Sequence, residues 1–218
     1  MSYVVFFDLD DTLLKGQSQK LLVKYLFQRK KVSVFFLMMI YFWFILYKLN
    51  LVKDVIKIRE ISFRICRGWN VLYTIDLLND FFKDIKSKFY KDAINEINLH
   101  KEKDGKIILV SASLLPLVEI IRKYFSFDYA IATDLKSENG IFTGEIFGSV
   151  VYGENKKNLI KEFLKEKKIS LKGSFAYSDH ISDYDLFELA DNPIVVNPNK
   201  KLFNIAKQKG WMVKIFHK

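Results

Sequence analysis

The pattern of apolar and polar positions divides the chain into a β-rich part and a helical part. From Lys106 onward, short runs rich in β-branched and aromatic residues alternate with segments that have the apolar period of amphipathic helices. Such alternation is typical of parallel strands joined by crossover helices. A further apolar run, Tyr3–Phe7, supplies a strand near the start of the chain. The pattern therefore predicts an α/β fold, a parallel sheet with helices on both faces.

Between these two parts, residues 15–104 contain few turn-forming residues and read as helical. The predicted helices are Leu21–Lys30, Val32–Leu49, Val52–Cys66 and Leu72–Ile97. The clearest break is the segment Arg67–Asn70, which contains glycine and asparagine. We therefore predict a catalytic core of residues 1–14 and 105–218, interrupted by a helical insert of residues 15–104. Within the core, Asn139-Gly140 and Thr143-Gly144 predict a hairpin between Ala132 and Val151.

One predicted helix of the insert is apolar on every side. Residues Val32–Tyr47 contain no charge, and as a helix they would be about 24 Å long, short of the ~30 Å hydrocarbon core of a bilayer. Basic residues flank the run at Arg29–Lys31 and Lys48, and no acidic residue occurs from Thr12 to Lys53. These features favour a helix that lies in a membrane interface. The alternative is a helix buried within the insert.

The composition indicates which kinds of binding partner and which cellular location to expect. Thirty-five Lys and Arg against 25 Asp and Glu give a net charge of +10, which favours a phosphorylated small molecule, an anionic membrane face or nucleic acid as partner. The positive charge is spread along the chain without a binding motif, so we predict no nucleic-acid partner. Tyr3–Phe7 is too short for a signal-peptide core, and Cys66 is the single cysteine. The expected location is therefore cytoplasmic, at the inner face of the membrane.

The strongest chemical signal follows the first predicted strand. Asp8 and Asp10 come directly after it, and ligands of parallel α/β sheets bind beyond the carboxyl ends of the strands. One carboxylate at such a place can attack phosphorus while the other supplies and removes a proton. Because neighbouring carboxylates repel one another, a cation is expected, and carboxylate oxygens suit Mg²⁺. The alternative is an acidic loop that caps a helix.

This Asp-x-Asp-x-Thr run after an apolar strand resembles the first motif of the haloacid-dehalogenase superfamily of phosphohydrolases. Ser111, at the end of a predicted strand, looks like the second motif. Lys156, preferred over its neighbour Lys157, looks like the third motif. Asp179 and Asp183 follow another strand and look like the fourth, with Ser178 standing where the family usually has glycine and His180 where it usually has a small residue.

The resemblance implies a Rossmann-like core with a helical cap and a role for each matching residue. Asp8 would be the nucleophile and Asp10 the acid and base. The phosphoryl oxygens would be held by Thr12, Ser111 and Lys156. The Mg²⁺ ligands would be Asp8, Asp10 through its carbonyl, and Asp179, with Asp183 in support.

Further matches point to the phosphoserine-phosphatase-like branch of this superfamily. They are Ala132–Leu135, Gly140, Thr143-Gly144, Gly153, Asn192–Pro198 and Lys209–Trp211. In phosphoserine phosphatases a glutamate that reads the substrate ammonium stands where this chain has Gln17, so phosphoserine is disfavoured. Gln17 and His180 are candidate substrate contacts, and the alternative is that both are plain surface residues.

The layout is also similar to that of phosphatidylglycerophosphatase C, a member of this branch with an apolar segment at the same place. We therefore predict a phosphatase that acts on a membrane lipid phosphate at an anionic membrane surface. A single membrane crossing at Val32–Tyr47 would separate Asp8 from Ser111, Lys156 and Asp179, so the segment must lie in the interface or enter and return. The alternative is a phosphatase of soluble small metabolites.

Overall fold

The computed structural model describes residues 3–49 and 60–217. Within them, seven strands form one sheet in the order β4-β3-β2-β1-β5-β6-β7. The strands are β1 Val4–Phe7, β2 Lys106–Leu114, β3 Tyr129–Glu138, β4 Ile141–Phe147, β5 Phe175–Ser178, β6 Asn192–Val196 and β7 Met212–Lys214. All neighbouring pairs are parallel except the hairpin of β3 and β4. The predicted α/β fold and the predicted hairpin are both confirmed.

The described helices cover both faces of this sheet. They are α1 Ser18–Gln28, α2 Val34–Lys48, α3 Val71–Ile85, α4 Lys91–Glu102, α5 Leu115–Phe125, α6 Glu154–Lys167, α7 Tyr184–Leu189 and α8 Lys200–Lys209. Short 3₁₀ turns occur at Arg64–Cys66, Lys86–Lys88 and Ile181–Asp183. Most of the predicted helix Val52–Cys66 lies outside the described residues.

The single helix predicted at Leu72–Ile97 is wrong, because the structure has two helices, α3 and α4, with a break between them. At the break the backbone bonds to the loop that follows β1. Lys15 N–H donates to the Lys88 carbonyl at 3.0 Å, and Tyr90 N–H donates to the Leu13 carbonyl at 2.9 Å. These partners are more than seventy positions away in sequence, so the local pattern carries no signal of the break.

Side chains alternate between the two faces of the sheet, as strand geometry requires. On one face, called here the insert face, Val5, Phe7 and Tyr177 share an apolar cluster with helices α1, α3, α4 and α5. On the other, called here the C-terminal face, Val4 and Phe6 pack with residues of α6, α7 and α8. The insert helices thus share their core with the sheet, and the predicted division at residues 15–104 stays a prediction.

Helix α2 is the exception to this packing. None of the side chains described for it is buried, and Phe35 and Tyr41 are 74% and 65% exposed. The alternative of a helix buried within the insert is therefore wrong for the described side chains. Across residues 3–49 and 60–217, no helix combines the length and the apolar character needed to cross a membrane.

Candidate active site

Three of the predicted site residues lie on or directly after three neighbouring strands. Asp8 follows β1, the central strand of the sheet, and its backbone N–H donates to the Tyr177 carbonyl of β5 at 2.9 Å. Asp179 follows β5, and Ser111 lies in β2 on the other side of β1. Because these strands are parallel, the three residues meet at one edge of the sheet.

A buried lysine joins two of the carboxylates. Lys156 Nζ lies 2.7 Å from Asp8 Oδ1 and 2.7 Å from Asp183 Oδ2, and its side chain is 4% exposed. It is held at the start of α6, after Gly153, whose φ of 55° and ψ of −132° suit glycine alone. Lys157, one position on, points away and pairs with Asp185 at 2.9 Å. Of the two lysines, Lys156 is the one that lies at the site.

Besides Lys156, Asp183 has a second hydrogen-bond donor, to which the sequence motifs assigned no role. Ser178 Oγ donates to Asp183 Oδ2 at 2.6 Å, and both residues are buried. Ser178 therefore takes part in the carboxylate network at the place where a glycine was expected. The only sequence signal was a hydroxyl residue at a strand end, which by itself more often caps a helix or turn.

Thr12 and Asp10 occupy the loop after β1. Thr12 is fully buried, and its Oγ1 lies 3.4 Å from Asp179 Oδ1 as a long hydrogen bond. Asp10 is half-buried, and its Oδ1 accepts from the backbone N–H of Ser18 at 2.7 Å, at the first residue of α1. A free N–H at a helix start stabilises a carboxylate, which anchors Asp10 beside the start of the insert.

Ser111 lies within β2 and not at its end. The strand continues to Leu114, with an irregular register opposite β3 between Ser111 and Leu114. The prediction that the strand ends at Ser111 is therefore wrong, because the pairing resumes after the irregularity. Ser111 is buried, and its Oγ accepts from the Ser113 N–H at 3.1 Å. The Ser113 hydroxyl in turn bonds the hydroxyl of Ser18.

Burial and mutual repulsion perturb the carboxylates of the site. The pKa of Asp8 is raised to about 7, chiefly by burial and also by the charges of Asp183 and Asp10, while Lys156 opposes the rise. Burial, and then the charges of Asp8 and Asp11, raise the pKa of Asp179 to about 8. For Lys156, burial favours the neutral form, but Asp183 and Asp8 outweigh it and the pKa lies above its ordinary value. Strong perturbation at one cleft is typical of catalytic groups.

Comparison with known proteins places this site in a family. A family model described as haloacid dehalogenase-like hydrolase matches residues 5–188. A phosphoserine phosphatase of Mycobacterium tuberculosis is 25% identical over 222 residues, which cover 99% of this chain and 71% of that protein. A probable phosphatase of the same organism is 32% identical over 152 residues, which cover 69% of this chain and 53% of that protein.

The chain belongs to the haloacid dehalogenase-like hydrolases. A solved Bordetella pertussis protein of unknown function has a TM-score of 0.89 at 23% identity, over 98% of both chains. A phospho-aspartyl intermediate analogue of phosphoserine phosphatase has a TM-score of 0.68 at 18% identity, over 100% of this chain and 94% of the other. At these identities the structures show the fold alone. The predicted family, its phosphoserine-phosphatase-like branch and the assignment as a phosphatase are confirmed.

The donor set fits the Mg²⁺ that haloacid dehalogenase phosphatases generally use. Among residues 3–49 and 60–217, no group of three or more histidine, cysteine or acidic side chains is placed to hold a metal on its own. Mg²⁺ in phosphate-handling sites needs only one or two carboxylates, together with water and phosphate oxygens. Asp8, Asp179 and the Asp10 carbonyl can supply such a set. A cation there would offset the repulsion that raises the pKa of Asp179.

The two candidate substrate contacts are both exposed. Gln17 stands at the N-cap position of α1, and its side chain makes no cap hydrogen bond. His180 is exposed, and its Nδ1 accepts from the Ser182 N–H at 3.1 Å. Their role as substrate contacts stays a prediction, and the bond of His180 also explains it as a turn residue.

Proposed function

We propose that this haloacid dehalogenase-type phosphatase hydrolyses phosphomonoesters through an aspartyl-phosphate on Asp8. The observation that supports it most is the position of Lys156 between Asp8 and Asp183. A buried ammonium at 2.7 Å from the nucleophile lies where phosphoryl charge accumulates. Stability alone does not explain a buried ion pair, because apolar residues of similar volume can often replace one without loss of stability.

In the first step Asp8 Oδ attacks phosphorus, and the bond from phosphorus to the ester oxygen breaks. Protonated Asp10 gives its proton to the leaving alcohol. In the second step Asp10 takes a proton from water as the water oxygen attacks phosphorus, which releases phosphate and regenerates Asp8. Thr12, Ser111 and Lys156 hold the phosphoryl oxygens. Mg²⁺, bound by Asp8, Asp179 and the Asp10 carbonyl with Asp183 in support, would neutralise phosphate charge.

Phosphate release from a chromogenic phosphomonoester tests this proposal. Purified protein should release phosphate with Mg²⁺, and a chelator should stop the release until Mg²⁺ is restored. Label from a phosphate-labelled ester should remain on the quenched wild-type protein as an acyl phosphate that hydroxylamine removes. Turnover that is unaffected by the chelator and leaves no such label would contradict the mechanism.

For the substrate, we favour a small phosphorylated metabolite. The relatives described above include a phosphoserine phosphatase and a probable phosphatase. The neutral and exposed Gln17 in place of an ammonium-binding glutamate argues that the metabolite here is not phosphoserine itself. Comparing phosphate release across a panel of small phosphomonoesters checks this, with phosphoserine expected among the poorer substrates.

A membrane lipid phosphate is the second candidate, and the exposed apolar helix α2 is what favours it. Several of its described side chains, Phe35 and Tyr41 among them, are exposed, and Arg29–Lys31 precede it with positive charge that would attract an anionic lipid surface. Co-sedimentation should detect binding to vesicles that contain anionic lipid, and replacement of Phe35 and Tyr41 by serine should weaken it. The control is Phe203→Ser, which changes an exposed aromatic residue on α8. The three proteins compared are therefore the wild type, the variant with serine at positions 35 and 41, and this control. Equal binding of all three proteins, or none, would leave the small metabolite as the substrate.

A further inference from the structure

A cavity lies beside the catalytic groups, between α1, the segment 62–65 and the junction of β2 with α5. Its volume is about 40 Å³, more than the ~10–15 Å³ that one water needs. The apolar part of its wall is formed by Leu22, Leu26, Phe63, Ile65, Leu114 and Leu117. An apolar wall of this kind favours the uptake of apolar groups.

The polar end of the cavity is directly bonded to the site. Ser18 and Ser113 line that end, and their hydroxyls bond each other. The Ser18 N–H donates to Asp10 Oδ1, and the Ser113 N–H donates to Ser111 Oγ. Asp10 is the proposed donor of a proton to the leaving alcohol. The cavity therefore lies on the side of the site where the alcohol part of a substrate must be.

The side chains described for the cavity wall are uncharged. Among the lining residues that the structure describes, none is an aspartate, glutamate, lysine, arginine or histidine. An ammonium or carboxylate placed there would lose its water without gaining an opposite charge, which is strongly unfavourable. A methyl or methylene group would instead gain by leaving water.

We propose that this cavity binds the carbon chain next to the ester oxygen, so that the enzyme selects phosphomonoesters whose leaving alcohol is uncharged and apolar. The inference rests on the proposed phosphomonoesterase function and adds the chemical class of the alcohol. The same chemistry can come from a short water-soluble alkyl phosphate or from the proximal carbons of a lipid phosphate.

A series of n-alkyl phosphates tests the inference. The ratio kcat/KM should rise about fourfold for each methylene from methyl to propyl phosphate, because each buried methylene contributes ~0.8 kcal/mol to binding. Phosphoserine and phosphoethanolamine should be poorer substrates than propyl phosphate. A flat series, or a preference for the two ammonium-bearing esters, overturns the inference and leaves the phosphatase function standing.

A cavity-filling variant locates the effect. Val23 also lines the cavity and is half-buried, so Val23→Phe should fill the space and lower the preference for propyl over methyl phosphate. Gln28→Phe, at an exposed position on the same helix away from the cavity, should leave that preference unchanged. Equal preference in the wild type and in both variants overturns the assignment to this cavity.

Binding without turnover separates the two claims. Dissociation constants of methyl to propyl phosphonate, measured by calorimetry, should fall along the series even where no bond is broken. A falling series with no hydrolysis of any ester supports the cavity and overturns the proposed function. A lipid phosphate in anionic vesicles, compared with propyl phosphate, then identifies the source of the chain: faster turnover in vesicles indicates a lipid, and slower turnover a soluble ester.

Discussion

The two faces of the sheet carry polar groups of opposite kinds, although the residues that present them are adjacent. Ser178 points to the C-terminal face and bonds Asp183, which in turn pairs with Lys156. Tyr177 points to the insert face, where its hydroxyl donates to Glu96 at 2.8 Å and lies 2.8 Å from His100 Nε2. On the C-terminal face these groups form charge pairs, whereas on the insert face neutral tyrosine and histidine side chains lead to the carboxylate of Glu96.

The neutral network has a consistent set of protons. Since the Tyr177 hydroxyl donates to Glu96, His100 Nε2 must donate to the tyrosine oxygen. His100 Nδ1 is then the acceptor of the Tyr3 hydroxyl at 2.9 Å. Burial lowers the pKa of His100, more than the charge of Glu96 raises it. A neutral imidazole therefore fits this face, which also holds the apolar cavity.

This contrast teaches where ionised groups are kept. On the C-terminal face, charged side chains lie next to Asp8, where they can interact with a bound phosphoryl group. On the insert face, the described residues of the cavity wall carry no charge, and the hydrogen bonds of Tyr177 lead to the half-buried charge pair of Glu96 and Lys214. We expect changes on the C-terminal face to act first on turnover, and changes on the insert face to act on stability and substrate choice.

The largest expected effect is on turnover, from Asp8→Asn. The amide has the same shape but cannot act as the nucleophile, so kcat should fall at least ~10³-fold while the fold is kept. Phosphate release and circular dichroism measure the two. Asp104→Asn, at an exposed position just before the start of β2 and outside the predicted site, is the control. Turnover like that of the wild type would show that Asp8 is not the nucleophile.

Next in size is the paired test of the two neighbouring lysines. Lys156→Met leaves Asp8 and Asp183 without their cation, which should lower the free energy of unfolding by about 3–5 kcal/mol. It should also lower kcat/KM by about 10²-fold or more. Lys157→Met breaks a half-exposed pair with Asp185 and should change stability by less than about 1 kcal/mol. Urea unfolding and phosphate release distinguish them, and equal effects would place Lys157 at the site as well.

A smaller effect is expected from substitutions of Tyr177 and Ser178, adjacent residues whose side chains point to opposite faces of the sheet. Ser178→Ala removes a hydrogen bond to a charged group, and Tyr177→Phe removes the partner of His100. Each should cost about 1–3 kcal/mol of stability. Only Ser178→Ala should also lower kcat, about tenfold, because it loosens Asp183 beside Lys156. A larger fall in kcat from Tyr177→Phe would break the division between the faces.

The smallest effect is a pH dependence of stability that comes from His100. Its pKa in the folded protein lies below its ordinary value of 6.5, so the unfolded chain binds the proton more readily. The stabilising contribution is present above about pH 6.5 and is lost as the pH falls below that value. Urea midpoints between pH 5 and 8 should show this loss in the wild type, and His100→Leu should reduce it. An unchanged slope in the variant would mean that other groups are responsible.

Much of the fold could be predicted because its signals are local. The periodicity of apolar residues indicates the alternation of strands and helices after Lys106, and glycines in turns indicate the hairpin. Both signals lie within short stretches of sequence. The positions of Asp8 and Asp179 were predictable for the same reason, since each directly follows an apolar strand. The family motifs then assigned the expected roles.

What the sequence by itself determined, therefore, is which residues end the strands, and hence which carboxylates meet at one edge of the sheet. Only the tertiary structure decided that Lys156 and not Lys157 reaches Asp8, since one step along a helix turns a side chain by about 100°. It also decided the bond between Ser18 and Ser113 and the cavity beside them, whose walls come from segments far apart in the chain. Such contacts depend on how helices and strands pack against one another, and the local periodicity of apolar residues does not predict that packing.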